Sequence, residues 1–197
     1  MKRKILFLSL LAICIAIAAA GTLAYFTAEG RAQNVITTGS ISITVVEQQR
    51  TDDGTLAKYP SDPISNVMPG MEISKIVTIK NTGNNEAWIR VSVEKLIELN
   101  EDNPAANGVS ADPALIELKL SDSWVTDGEY YYYTSPVKAG ESTAPLFNSV
   151  KFAESMGNAY QGCTAYINIY AQAVQTANNP AADGDVTKVA GWPEKGE

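Results

Sequence analysis

Cys163-Thr164-Ala165-Tyr166-Ile167-Asn168-Ile169-Tyr170-Ala171-Gln172-Ala173 alternates without a break. Cys163, Ala165, Ile167, Ile169, Ala171 and Ala173 share one side; Thr164, Tyr166, Asn168, Tyr170 and Gln172 share the other. A period of two is that of a strand with one face turned into a core. The pattern recurs upstream. Ile41, Ile43 and Val45 alternate with Ser42 and Thr44, and Ala87, Ile89, Val91 and Val93 with Trp88, Arg90 and Ser92. Pro69-Gly70, residues 73–79, Asn81-Thr82-Gly83-Asn84-Asn85 and the strand after them read as turn, strand, turn, strand, a hairpin. Residues 48–63 read as a polar loop and residues 102–113 as an exposed insertion, while residues 115–120 suit a strand or a short helix. Asp127-Gly128 turns the chain into Tyr130–Tyr133, and Lys138-Ala139-Gly140-Glu141 turns it towards Leu146, Phe147, Val150 and Phe152. Roughly seven short strands divided by turns, with little helical period, predict an all-β fold, an antiparallel β-sandwich.

The N-terminus has a different character. Lys2, Arg3 and Lys4 precede a mainly apolar run over residues 5–20, followed by small residues at Thr22 and Ala24. A basic start, a short apolar run and small residues at its end are the parts of an export signal. The run has 16 residues, short of the roughly 20 of a membrane-spanning helix. The expectation is a signal helix over residues 1–24, cleaved between Ala24 and Tyr25, with membrane contact only before cleavage. An arm over residues 25–38, a β-sandwich over residues 39–177 and a mobile tail over residues 178–197 follow. Tyr25, Phe26, Val35 and Ile36 give the arm its apolar side chains.

Cleavage removes three basic residues and no acid, so 15 basic residues become 12 against 22 acidic ones, a net charge of −10. That balance disfavours nucleic acid and anionic lipid as partners. Cys14 leaves with the signal, and Cys163 alone cannot form an internal disulfide. The chain has no histidine, which removes Ser-His-Asp and Cys-His arrangements and the HExxH zinc site. Cys163 therefore reads as a buried thiol rather than a nucleophile. Acids gather at Asp52-Asp53, at Asp122 with Asp127 and Glu129, and at Asp183-Gly184-Asp185. None matches a twelve-residue calcium loop, and turns recruit Asp for local reasons. No catalytic, cofactor-binding or metal-ligating residue is assigned. Tyr130–Tyr133 places two rings on each face of a strand, either as good β-formers or as a sticky, sugar-stacking surface.

Gly21-Thr22-Leu23-Ala24-Tyr25-Phe26-Thr27 followed by Thr38-Gly39-Ser40-Ile41-Ser42-Ile43 resembles the signal and first strand of the TasA/camelysin family, which is processed by a SipW-type signal peptidase. Met68-Pro69-Gly70, Ile73, Val77, Ile79, Asn81-Thr82-Gly83, residues 124–133, residues 171–175 and Gly191-Trp192-Pro193 extend the resemblance. It implies a jelly-roll sandwich of the Gram-positive biofilm matrix or cell surface, built into fibres in which one subunit's N-terminal segment completes the sheet of the next. Its implied partners are further copies of the chain, related matrix proteins and, during export, that peptidase. The family's camelysin members also imply an exported metalloendopeptidase, but the usual His ligands are missing here. A surface module for glycan or host protein is the other alternative. The arm itself reads either as a donor strand or as an ordinary unstructured terminus.

Overall fold

The computed structural model describes residues 41–193. They form ten strands, joined by turns and by 3-10 helices of three residues each. The strands are β1 (Ile43–Arg50), β2 (Leu56–Lys58), β3 (Glu72–Ser74), β4 (Ile76–Asn81), β5 (Ala87–Glu98), β6 (Ile116–Leu120), β7 (Trp124–Asp127), β8 (Tyr130–Tyr133), β9 (Phe147–Phe152) and β10 (Thr164–Gln175). Every pairing between them is antiparallel. The all-β, antiparallel expectation is met.

The longest ladder joins β5 to β10 over twelve residue pairs, from Thr164 opposite Glu98 to Gln175 opposite Ala87. β8 and β7 extend it to the order β10-β5-β8-β7. Its inner face holds Ile89, Val91, Ile97, Ala165, Ile169, Ala171 and Ala173, as the alternation requires. Two smaller sheets, β2-β1-β4 and β3-β9-β6, supply the rest of the same core through Ile43, Val45, Val77, Ile79, Ile116, Phe147, Val150 and Phe152. Residues 140–148 run along the edge of β4 that β1 leaves open. There Glu141 O accepts from Asn81 N–H, while Thr143 and Leu146 donate to the Ile79 and Val77 carbonyls. That edge is closed.

Three local readings change. The expected hairpin across residues 81–85 is instead a crossing between sheets, because β4 pairs with β1 and β5 pairs with β10 and β8. Buried Asn81 holds this crossing: its Nδ2 donates to the Asn85 and Val137 carbonyls and its Oδ1 accepts from Gly83 N–H. The single strand expected over residues 73–79 is split at Lys75 into β3 and β4, which have different partners. Residues 48–63 are not all loop, since β1 continues to Arg50 and turns at Asp53-Gly54 into β2. Residues 115–120 resolve as a 3-10 turn, Pro113–Leu115, running into β6.

The tail is also different. As far as Pro193 it is laid over the outer face of the four-stranded sheet, rather than being the mobile tail expected for residues 178–197. Trp88 Nε1 donates to Asn179 O (2.9 Å), and Pro193 O accepts from Arg90 and Gln172. Val186 and Val189 are buried with Tyr132 and Val174, apart from the main core. An Ala-, Asp-, Gly- and Pro-rich segment orders here because two valines and a Trp give it enough apolar area to offset the entropy of fixing it.

Candidate functional site

Strand edges show where this fold can accept another chain, because each carries a row of unpaired backbone groups. Along β10, Ala165 exchanges two backbone hydrogen bonds with Ile64 on the side away from β5 (3.1 and 2.8 Å). In an antiparallel strand every second residue points its N–H and C=O the same way. Ile167, Ile169, Ala171 and Ala173 therefore point theirs out from the same edge as Ala165. None of these has a backbone partner on that side among the described residues. β1 has a matching edge. Ser42 O turns towards β4, accepting from Thr82 and Gly83, whereas Glu47 O turns the other way to accept from Tyr59 N–H (3.0 Å). Alternation then points Ile43 and Val45 away from β4, and neither has a backbone partner on that side among the described residues. β1 and β10 approach one another. An extended segment laid along either edge would gain backbone hydrogen bonds, each adding about 0.5–1.5 kcal/mol net.

The residues expected to cleave or to donate lie outside the described residues. These are Thr22, Ala24 and Tyr25 at the signal junction, Tyr25, Phe26, Val35 and Ile36 of the arm, and the signal helix itself. Among the described residues no helix is long and apolar enough to cross a membrane.

The tyrosine run divides as its period requires. Tyr131 and Tyr133 pack on the main core, and Tyr133 lies 5.1 Å from Trp124 between ring centroids. Tyr130 and Tyr132 stand on the outer face, where Trp192 closes over Tyr132 (5.9 Å, edge-on). Arg90 fits between two rings of this group, its guanidinium carbon 3.9 Å from the centroid of Tyr130 and 4.7 Å from that of Trp192. Its Nε donates to Gln172 Oε1 (2.7 Å) and its Nη2 to Pro193 O (3.2 Å). The open end of this face carries a polar strip. Tyr166 OH donates to Glu98 (2.8 Å), and Asn168 Nδ2 and Tyr170 OH donate to Glu94 (3.0 Å each).

The acidic groups sit in turns. Thr51 and Thr55 hydroxyls and the Thr55 N–H donate to Asp53, holding its carboxyl at about 2 against an ordinary 3.8. A depressed carboxyl adds stability that is present above its unfolded value and lost as pH falls through the folded one. Asp53→Asn is expected to remove that part of the acid sensitivity between pH 3.8 and about 2. Denaturant titrations stepped through that window measure it. Asp185 caps the turn Val186–Lys188 through Thr187, and both Asp183 and Asp185 lie within ion-pair range of Lys188. No group of three or more His, Cys, Asp or Glu among the described residues is placed to share a metal ion.

Cys163 lies one residue before β10, fully buried, and desolvation holds its thiol above the ordinary range. It is expected to react slowly with a thiol reagent in the folded protein and fast in denaturant. Cys163→Ser is expected to cost about 1–3 kcal/mol, because it buries a hydroxyl without an assured partner. Equal labelling rates in the two states would place the thiol at the surface.

No family model matches the chain, and neither does any curated protein or solved structure. The edges of β1 and β10 that have no partner among the described residues were missed at the level of sequence because pairing partners are non-local. The alternation marked the strand, but nothing in it marked which edge lacked a neighbour.

Proposed function

We propose that this protein is an exported, non-enzymatic structural protein of the cell surface or biofilm matrix, a jelly-roll sandwich that assembles into fibres by strand donation. The arm of residues 25–38, freed by cleavage after Ala24, adds to the open edges of β1 and β10 of another copy. The observation that carries this reading is the pair of neighbouring edges whose backbone groups have no partner among the described residues, in a chain whose sequence also offers a strand-like arm. Such edges are normally blunted by charge, proline or a covering loop, yet residues 167–173 carry neither a charged residue nor a proline. Charge repulsion between copies of net charge −10 keeps association conditional rather than indiscriminate. Related matrix proteins with the same edge are the natural second partner, and a SipW-type signal peptidase is the export partner.

Secreted protein is expected to begin at Tyr25 by mass spectrometry and to form filaments visible by electron microscopy. The same sample, freed of host proteases, is expected to leave casein intact with or without chelator. An intact precursor, or chelator-sensitive cleavage of casein, would overturn the export or the non-enzymatic half of the proposal.

A further inference from the structure

Residues 178–193 form a strap closed on itself. Asn179 N–H donates to Thr176 O as the chain leaves β10, and Asn178 takes a left-handed backbone there (φ 67°). The two ends of the strap then meet: a Cβ on Gly191, itself left-handed (φ 78°), would stand 2.8 Å from Asn179 Oδ1. A loop whose ends touch and whose own side chains pack it down is an Ω-loop. Its buried side chains include Val186 and Val189, and neither belongs to the main core. Its hydrogen bonds to the sheet run from Trp88 Nε1 to Asn179 O, and from Arg90 Nη2 and Gln172 Nε2 to Pro193 O.

We propose that this strap is a latched cover: it opens as a unit from the otherwise intact sandwich, baring Trp88, Tyr132 and Val174, and Arg90 is the latch. Arg90 belongs to the sheet, yet its guanidinium carbon lies 3.9 Å from the centroid of Tyr130, on the sheet, and 4.7 Å from that of Trp192, on the strap. One cation therefore joins a ring of each part, and its bond to Pro193 O holds the same end of the strap. Lifting the strap breaks these contacts and the small cluster of Val186 and Val189 with Tyr132 and Val174. It leaves the β5–β10 ladder and the main core in place. Apolar burial set apart from the core is the mark of a segment that opens below the cost of global unfolding. Trp192 lowers that cost further. Its Nε1 is buried without an acceptor among the described residues, a state that buried N–H groups rarely keep. Opening gives this N–H water to bond.

Two indole N–H groups separate the strap from the core. Trp88 donates to Asn179 O of the strap (2.9 Å), whereas Trp124 donates to Ala144 O (3.3 Å) beside the main core. Deuterium exchange of both is followed in proton–nitrogen correlation spectra of the secreted chain, the signals being assigned by their loss in Trp88→Phe and Trp124→Phe. The Trp88 indole is expected to exchange at least about tenfold faster than the amides of the β5–β10 ladder. Arg90→Lys, which keeps the charge but loses the planar fork and its stacking face, is expected to speed Trp88 exchange about tenfold more. The Trp124 indole and the ladder amides are expected to keep their rates in that variant. Gly191→Ala is altered only within the strap, where it sets a Cβ against Asn179 on a left-handed backbone. It is expected to act on Trp88 in the same selective way, and it serves as the test if Arg90→Lys does not fold. A Trp88 indole that exchanges together with the ladder amides overturns the proposal. So do variants that speed Trp124 and the ladder as much as Trp88, and so does a folded Arg90→Lys in which Trp88 exchange is unchanged.

Discussion

A chain starting at Gly39 is expected to fold with the same β-rich spectrum as the chain starting at Tyr25 and to form no filaments. The first buried residue of the described fold is Ile41, and Ser42 O already accepts two backbone hydrogen bonds from the far end of β4. The described residues from Ile41 onward already enclose a core through Ile41, Ile43 and Val45, which is why the truncated chain is expected to fold. Assembly is a different matter, because the apolar side chains of Tyr25, Phe26, Val35 and Ile36 go with the deleted segment. Full burial of such side chains is worth about 1.5–3 kcal/mol apiece, and each edge bond adds about 0.5–1.5 kcal/mol. Against these stand the ordering of the arm and the loss of free motion on association. The expected surplus is small, so assembly is expected to be reversible and to depend on the arm. Filaments formed equally well by the truncated chain would point to a side-by-side contact instead.

The largest loss of stability short of a core deletion is expected from Glu47→Gln. Lys75 is almost wholly buried between β3 and β4, with its Nζ 2.8 Å from Glu47 Oε1 and 3.9 Å from the centroid of the Tyr59 ring. Burial lowers the pKa of Lys75 and raises that of Tyr59, to which the Glu47 charge also contributes. Removing one partner of a buried pair leaves an uncompensated charge, typically at 3–5 kcal/mol. Glu47 is a quarter exposed, which brings the expected loss to about 2–4 kcal/mol. Replacing both, Glu47→Leu with Lys75→Met, is expected to recover most of it, and a denaturant-based double-mutant cycle measures the coupling. The sign with pH follows from the direction of the Lys75 shift. The unfolded chain holds this proton up to the ordinary 10.5 and the folded chain releases it earlier, so folding gains as pH rises towards that value. The deficit of Glu47→Gln therefore shrinks on the alkaline side.

The strands were readable wherever one face meets the core, because burial imposes a period of two that survives in a single sequence. β10 and β5 show this, and Tyr130–Tyr133 divided between faces as its period requires. Gln172 and Val174 defeated the same rule: they belong to the outer face but are buried, since the C-terminal segment covers them. That cover was hidden because its composition is that of a loop, and only Val186, Val189 and Trp192 tie it down. The β1–β2 hairpin had a visible signal in Asp53-Gly54, a turn-forming pair, outweighed by the polarity of residues 48–63. The crossing at Asn81 had none, since an Asn-rich turn suits a hairpin and a crossing equally and the choice rests on partners distant in sequence. The same non-locality hid the edges of β1 and β10 that lack a partner among the described residues, while the expected arm was legible only as an apolar-polar stretch after the expected signal.

Amide hydrogen exchange, compared between filaments and the chain starting at Gly39, tests the central claim most directly. The amides of Ile43, Val45, Ile167, Ile169, Ala171 and Ala173 are expected to exchange quickly in the truncated chain and to become strongly protected in filaments. Filaments in which these six amides still exchange quickly, while those on the outer edges of β2 or β7 become protected, would contradict it.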